Sequence, residues 1–256
     1  MVLASGYGAC MTTRAERRAA QDLQRQLKAA ARMDPAVATD ICLVRHGQTS
    51  WNAERRLQGH RDPPLNDEGL RQAEELAALL QAEPFHAIYS SDLRRALQTA
   101  EALASCRPGG GQAEVRARPG LRERRLGVLE GLTLPEAAQR EPAAFAILRA
   151  HDEDACLPGG GESTRAMVAR VVAELERIAA GHPGQSVLVV AHGGVLHAVH
   201  LHAVGRSCDG AVHNASVHRV RVQGARWAVV RWDEHGAAEE GDQRAGAQFG
   251  GGAKEG

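Results

Sequence analysis

The stretch Val187-Leu188-Val189-Val190-Ala191-His192-Gly193-Gly194 decides how this chain is read. Its four branched aliphatic residues in a row, with no polar alternation, describe a strand buried on both faces, as central strands of parallel sheets are. Helix-like sequence follows at once, from Val195 to Val204. Upstream, Ile41-Cys42-Leu43-Val44 is a second compact strand, and it ends in a similar way, in Arg45-His46-Gly47-Gln48-Thr49. Ligands of open parallel sheets gather at the carboxyl ends of the strands. Two strands that both finish in His-Gly, one of them with an arginine alongside, therefore point to one crevice. The glycine after each histidine is expected to let the backbone turn and come close to a ligand.

Further elements extend outward from these two strands. Asn66 is placed to cap a helix whose apolar face is Leu70, Ala73, Ala77 and Leu80. His86-Ala87-Ile88-Tyr89 is a strand, and Ser91 is expected to cap the next helix, with Leu93, Ala96, Leu97, Ala100 and Leu103 inward. Met167, Val171, Leu175 and Ile178 mark another helix after Leu157-Pro158-Gly159-Gly160-Gly161. Val217 to Val222 and Trp227 to Trp232 are late strands, the second turning back as a hairpin. Strands separated by helices imply an α/β fold, with a mostly parallel central sheet and helices on both faces of a single domain. That domain spans 41–232. Residues 1–40 form an extension, partly helical or disordered, in which Thr13 to Met33 fits a surface helix with Ala15, Ala19, Leu23, Leu27 and Ala30 on one side. The Gly-, Ala- and Glu-rich residues 233–256 are a disordered tail. The glycine triplets Gly109–Gly111 and Gly159–Gly161 are loops, and neither runs into Lys-Ser/Thr as a Walker loop would.

Composition removes whole classes of function. The 256 residues carry 31 basic and 31 acidic side chains, so no global field draws the chain to nucleic acid or an anionic membrane. Aromatic content of 3% is too low for a base-stacking surface. No apolar run reaches the roughly 18 residues of a membrane span. Of the 31 basic residues only Lys28 and Lys254 are lysines; the rest are arginines, the side chain suited to planar anion recognition. The five scattered cysteines form no C-x-x-C pair, so neither a metal cage nor a disulfide framework is expected, and a reducing, cytoplasmic setting is the natural one. The amino-terminal segment has no secretory apolar core. Its arginine-rich start resembles an organelle transit peptide, against which Glu16 and Asp22 count.

Several blocks of this sequence together resemble the histidine phosphatase superfamily, also called phosphoglycerate-mutase-like. They are Leu43-Val44-Arg45-His46-Gly47-Gln48-Thr49 with Trp51-Asn52, Leu57-Gln58-Gly59, Pro64-Leu65-Asn66 with Glu68-Gly69, Ser91-Asp92-Leu93-Arg94-Arg95-Ala96, Leu121-Arg122-Glu123 up to Glu130-Gly131, Gly161-Glu162-Ser163 and Ala191-His192-Gly193-Gly194. The resemblance implies a phosphomonoesterase acting on a small phosphorylated metabolite. His46 would be the nucleophile, carrying a phosphohistidine; Arg45 and Arg95 would clamp the phosphate, His192 would complete the cradle and Glu123 would be the general acid. Family register selects Arg95 over Arg94. Thr49, Asn52, Gln58, Gly59 and Gly193 match phosphate- or substrate-lining positions, and Ser163 is either an N-cap or a ligand contact. Neither metal nor cofactor is implied, because fixed guanidinium charge does the electrostatic work.

Two other functions remain to be weighed against hydrolysis. A phosphoglycerate mutase, in the family pattern, has Gly-Leu-Asn-Lys after its general acid; here the residues are Gly131-Leu132-Thr133-Leu134, without the lysine. Leu126-Gly127-Val128-Leu129-Glu130-Gly131 is instead similar to the phosphatase branch, including plant phosphoglycerate-mutase-like proteins. A non-catalytic phospholigand sensor is disfavoured, since all five catalytic residues are present. His197, His200 and His202 are expected to be ordinary helix residues, and His151-Asp152-Glu153-Asp154 a solvated or lid segment.

Overall fold

A computed structural model describes residues 14–106, 114–150, 152–208 and 211–234. The aliphatic runs become β1 (Thr39–Arg45), β2 (Ala87–Ser90), β3 (Val115–Ala117), β4 (Ser186–Ala191), β5 (Val217–Gln223) and β6 (Arg226–Glu234). They form one sheet in the order β3-β2-β4-β1-β5-β6. The β3-β2, β2-β4 and β4-β1 pairs are parallel; β1-β5 and the β5-β6 hairpin are antiparallel. The domain is therefore α/β with a mostly parallel sheet.

Side-chain alternation explains why helices cover both faces. Ile41, Leu43, Val187 and Val189 project into one core with Met167, Val171, Leu175 and Ile178 of α7 (Thr164–Ala180) and Val195, Leu196 and Val199 of α8 (Gly193–Val204). Their neighbours Cys42, Val44, Leu188 and Val190 enter a second core with Leu76, Ala77 and Leu80 of α3 (Asp67–Leu80) and Ala96, Ala100 and Leu103 of α4 (Arg94–Ser105). The short α2 (Ser50–Ala53) follows β1. A third, smaller core of Leu57, Leu126, Leu129, Ala137, Ala144 and Leu157 lies under α5 (Leu134–Arg140) and α6 (Pro142–Arg149).

Four expectations are corrected. Leu70 is 44% exposed, because α3 turns Gly69, Gln72 and Ala73 inward instead. Ser91 does not cap α4: the cap position is Leu93, which makes no side-chain cap bond. The amino-terminal helix, α1 (Arg14–Ala31), leaves Leu23 and Leu27 43% and 44% exposed and buries Ala30. It is rotated because polar neighbours of those leucines hold it: Asp22 pairs with Arg206, and Gln26 donates to the Ala203 carbonyl and accepts from the Val229 N–H of β6. Finally, the sheet extends past 41–232 at both ends, starting at Thr39 and finishing at Glu234, since Asp40 pairs with Ser186 and Val217 with Glu234. Gly109–Gly111, His151 and the residues after 234 lie outside the described residues.

Candidate active site

The parallel register places the functional segments together. Arg45 and Ala191 are partners at the carboxyl ends of β1 and β4, so the next residues, His46 and His192, stand side by side. They are 3% and 0% exposed, and their rings meet edge to face with centroids 5.2 Å apart. The His46 ring has a defined tautomer. Its Nδ1–H donates to the Gly47 carbonyl at 2.7 Å, and a carbonyl can only accept, so Nε2 carries the lone pair. Burial, then the charges of Arg95 and Arg45, hold the imidazole well below its ordinary pKa. At pH 7 it is neutral.

His192 has the opposite tautomer. The Arg95 Nε–H donates to His192 Nδ1 at 3.2 Å, which leaves the His192 proton on Nε2, donated to Ser91 Oγ at 2.8 Å. Ser91 is thus a histidine partner rather than a helix cap. Burial, then Arg95, keeps this ring neutral too. Arg95 is 1% exposed, and its fork donates to the carbonyls of Arg61 at 2.8 Å and Gly59 at 2.9 Å. Burial lowers its pKa to about 10, which leaves it charged at neutral pH. Arg94 points to solvent, its backbone N–H donating to Asp62 Oδ1 at 2.7 Å. Arg45 is half-buried and donates through Nη1 to the Val212 carbonyl.

Glu123, in a run that looked like a surface charge cluster, is 9% exposed. One carboxylate oxygen accepts from its neighbour Arg124 N–H at 2.7 Å and the other from Gly194 N–H, in the first turn of α8, at 3.0 Å. The helix terminus thus holds a carboxylate where an external anion could sit. Gly193, the first residue of that helix, lies against Arg45.

The remaining sequence candidates have local duties. Thr49 and Asn52 form a capping box on α2: the Thr49 side chain accepts from the Asn52 N–H, and Asn52 Oδ1 accepts from the Thr49 N–H at 3.1 Å. Gly59 adopts φ +52° and offers its carbonyl to Arg95, while the Gln58 side-chain carbonyl is buried with no hydrogen-bond partner. Ser163 caps α7, accepting from the Ala166 N–H. Gly47 has a packing reason of its own: a Cβ there would lie 2.5 Å from the Gly69 carbonyl oxygen, at the start of α3.

Sequence reasoning missed a supporting set. Asn214 donates to the His46 carbonyl at 2.9 Å and Thr99 Oγ1 accepts from the Gly47 N–H at 3.1 Å. Arg170, on α7, donates to the Gly120 and Arg122 carbonyls at 3.0 Å, and His60 Nε2 donates to the Glu123 carbonyl at 2.9 Å. Glu130 accepts from the N–H groups of His60 and Leu126, both at 3.0 Å. Among the described residues, no three His, Cys, Asp or Glu side chains gather as a metal-binding group. Nor is any described helix long and apolar enough to cross a membrane.

A neutral buried imidazole beside two guanidiniums and a carboxylate suits a phosphate dianion and attack upon it. Residues 41–235 match the family model of the histidine phosphatase superfamily, branch 1. The chain belongs to this superfamily. Within the histidine phosphatases, it is 43% identical over 163 residues to phosphoglycerate mutase-like protein 4 of Arabidopsis thaliana, covering 63% of this chain and 69% of that one. It is 44% identical over 166 residues to a metal-independent phosphoserine phosphatase of the same plant, covering 63% and 67%. Among solved structures, YhfR of Bacillus stearothermophilus superposes with a TM-score of 0.67 at 34% identity, over 75% of this chain and 95% of its own. The phosphatase expectation and the fold class both hold.

Proposed function

We propose that this chain hydrolyses a small phosphorylated metabolite, without a metal, through a phosphohistidine on His46. One observation carries the reading: the buried His46 ring commits Nδ1 to the Gly47 carbonyl, which leaves Nε2 bearing the lone pair, while burial and the charges of Arg95 and Arg45 disfavour the imidazolium. In this reading Arg45 and Arg95 bind the phosphate dianion through bidentate forks. Glu123 takes up a proton as the dianion binds; Nε2 of His46 then attacks phosphorus as the bond to the substrate oxygen breaks, and Glu123 gives that oxygen the proton. Turning Oε2 toward the substrate frees the Gly194 N–H it now occupies, which can then serve a phosphate oxygen. Water next attacks phosphorus, loses its proton to Glu123 and displaces His46, releasing inorganic phosphate.

His192 needs a second proton to donate to the same phosphate. If a phosphate oxygen takes the Arg95 Nε–H, His192 Nδ1 is left as a bare acceptor facing an anion, so proton uptake there accompanies binding. Thr49, Asn52, Gln58, Gly59 and Gly193 are assigned to shaping the pocket, Gln58 by offering its unpartnered carbonyl to a substrate donor. The catalytic unit is the α/β domain, with α1 an accessory to it. We assign a reducing, cytoplasmic setting from the scattered cysteines of the sequence. Hydrolysis is favoured over mutase chemistry by Leu134, at the place of the mutase lysine: it opens α5 and packs against the small core under that helix.

Incubation with a labelled aryl phosphate, followed by an alkaline quench that preserves phosphoramidates, tests the reading. Label should be trapped on the wild-type protein and phosphate released, with both lost in His46→Asn. Incubation with 3-phosphoglycerate should release phosphate without interconversion. Sustained turnover in His46→Asn would overturn the mechanism, and interconversion would assign a mutase.

A further inference from the structure

The two peptide groups that follow His46 are gripped from both sides. In the 46–47 peptide, the His46 carbonyl accepts from Asn214 Nδ2 at 2.9 Å, while the Gly47 N–H donates to Thr99 Oγ1 at 3.1 Å. In the 47–48 peptide, the Gly47 carbonyl accepts from Asn214 Nδ2 at 3.3 Å, and the Gln48 N–H donates to Gln72 Oε1 at 2.9 Å. Among the described residues, Asn214 is the one side chain that hydrogen-bonds both carbonyls. Its amide orientation follows from its neighbours, because both carbonyls and the nearby Asn52 Oδ1, 3.5 Å away, can only accept.

The Gly47 carbonyl is also the acceptor of the His46 Nδ1–H. An imidazole bonding to the carbonyl of the next residue has no reserve of geometry. A modest rotation of the 47–48 peptide carries the oxygen out of the ring plane and removes the preference for protonated Nδ1. Neighbouring glycine cannot supply the stiffness, since it lacks the side chain that would restrict its own backbone.

We propose that Asn214 is a positioning residue for His46: by bracing the two carbonyls, it fixes the tautomer that leaves the Nε2 lone pair available. The consequence for rate rests on His46 being the nucleophile; the tautomer does not. Asn214 touches no reacting atom, and its position 22 residues after His192 lies outside every block that carried the family resemblance.

The test uses the full chain with histidine ring nitrogens labelled with nitrogen-15, in wild type, Asn214→Ala and the isosteric Asn214→Asp, which cannot donate as a carboxylate. Long-range nitrogen–proton correlation at pH 7.5 should find wild-type His46 protonated at Nδ1 and both variants mixed between tautomers. With an aryl phosphate, kcat should fall roughly 10- to 100-fold, with KM moving less than about threefold. A wild-type His46 protonated at Nε2 overturns the proposal without any variant. So does an unchanged tautomer in the variants, even beside a lost rate, because Asn214 would then act on folding alone. A wild type that turns over no phosphoester, yet shows the tautomer change in the variants, would sink the phosphatase reading and leave Asn214's role standing.

Discussion

Acid should destabilise this protein through histidines that do no chemistry. His197 and His218 are 7% and 0% exposed, and the charges of His200 and Arg45 act on both. Burial first, then Arg45 and His200, hold His197 at about 4; burial, then His197, His200 and Arg45, hold His218 at about 3. In the unfolded chain each would titrate near 6.5. Between those values the unfolded state binds a proton that the folded state refuses, so stability is complete above pH 6.5 and is lost as pH falls toward the folded values. Each such proton is worth about 1.4 kcal/mol per pH unit, or about 2 kcal/mol between pH 6.5 and 5. Against a total of roughly 5–15 kcal/mol for a domain of this kind, two such groups remove a large share. His197→Asn keeps a polar partner for Cys208 Sγ, which lies 3.0 Å from His197 Nδ1, but removes the titration. Urea unfolding followed by tryptophan fluorescence at pH 7.5 and 5.0 should show the wild type losing about 2 kcal/mol more than this variant. Equal losses in the two proteins would show that His197 takes up its proton while folded, and the linkage argument would fail.

Three further outcomes follow from the site. Arg95→Lys puts one ammonium where a fork now serves His192, Gly59 and Arg61, so kcat/KM for an aryl phosphate should drop by about 10²–10³; a loss under tenfold would mean the fork is dispensable. Gly47→Ala drives a methyl to 2.5 Å from the Gly69 carbonyl, and urea unfolding should report about 1–3 kcal/mol of lost stability. Unchanged stability with impaired substrate binding would favour the ligand-approach explanation for that glycine. Glu130→Ala strips the acceptor from the N–H groups of His60 and Leu126, which should lower stability by about 2 kcal/mol or more and raise KM by loosening Gly59 under Arg95. An unaltered KM would separate that loop from the site.

Legibility in the sequence followed the strength of local pattern. The runs at 41–44 and 187–190 declared the central strands, and their His-Gly endings assign Arg45, His46 and His192 to one edge of the sheet. The four inward residues of α7 were readable because they repeat at helical spacing and are all buried. β3 escaped notice: three residues, one of them an arginine, at the sheet's edge carry almost no periodic signal. Leu70 and the leucines of α1 misled, because periodicity finds an apolar stripe but not the polar contacts that rotate a helix about its axis. Asn214 and Arg170 were invisible for a different reason. Each acts on backbone carbonyls of a segment far away in sequence, and neither residue type announces that duty.

The third small core bears on how the fold divides its support. Leu57, Leu126, Leu129, Ala137, Ala144 and Leu157 share no member with the two cores that grip the sheet. Substitutions within this core therefore repack α5 and α6 against their own cluster, and the strand ends that hold the imidazoles keep separate support. Such a partition lets one part of the fold drift in sequence while the paired histidines stay in register.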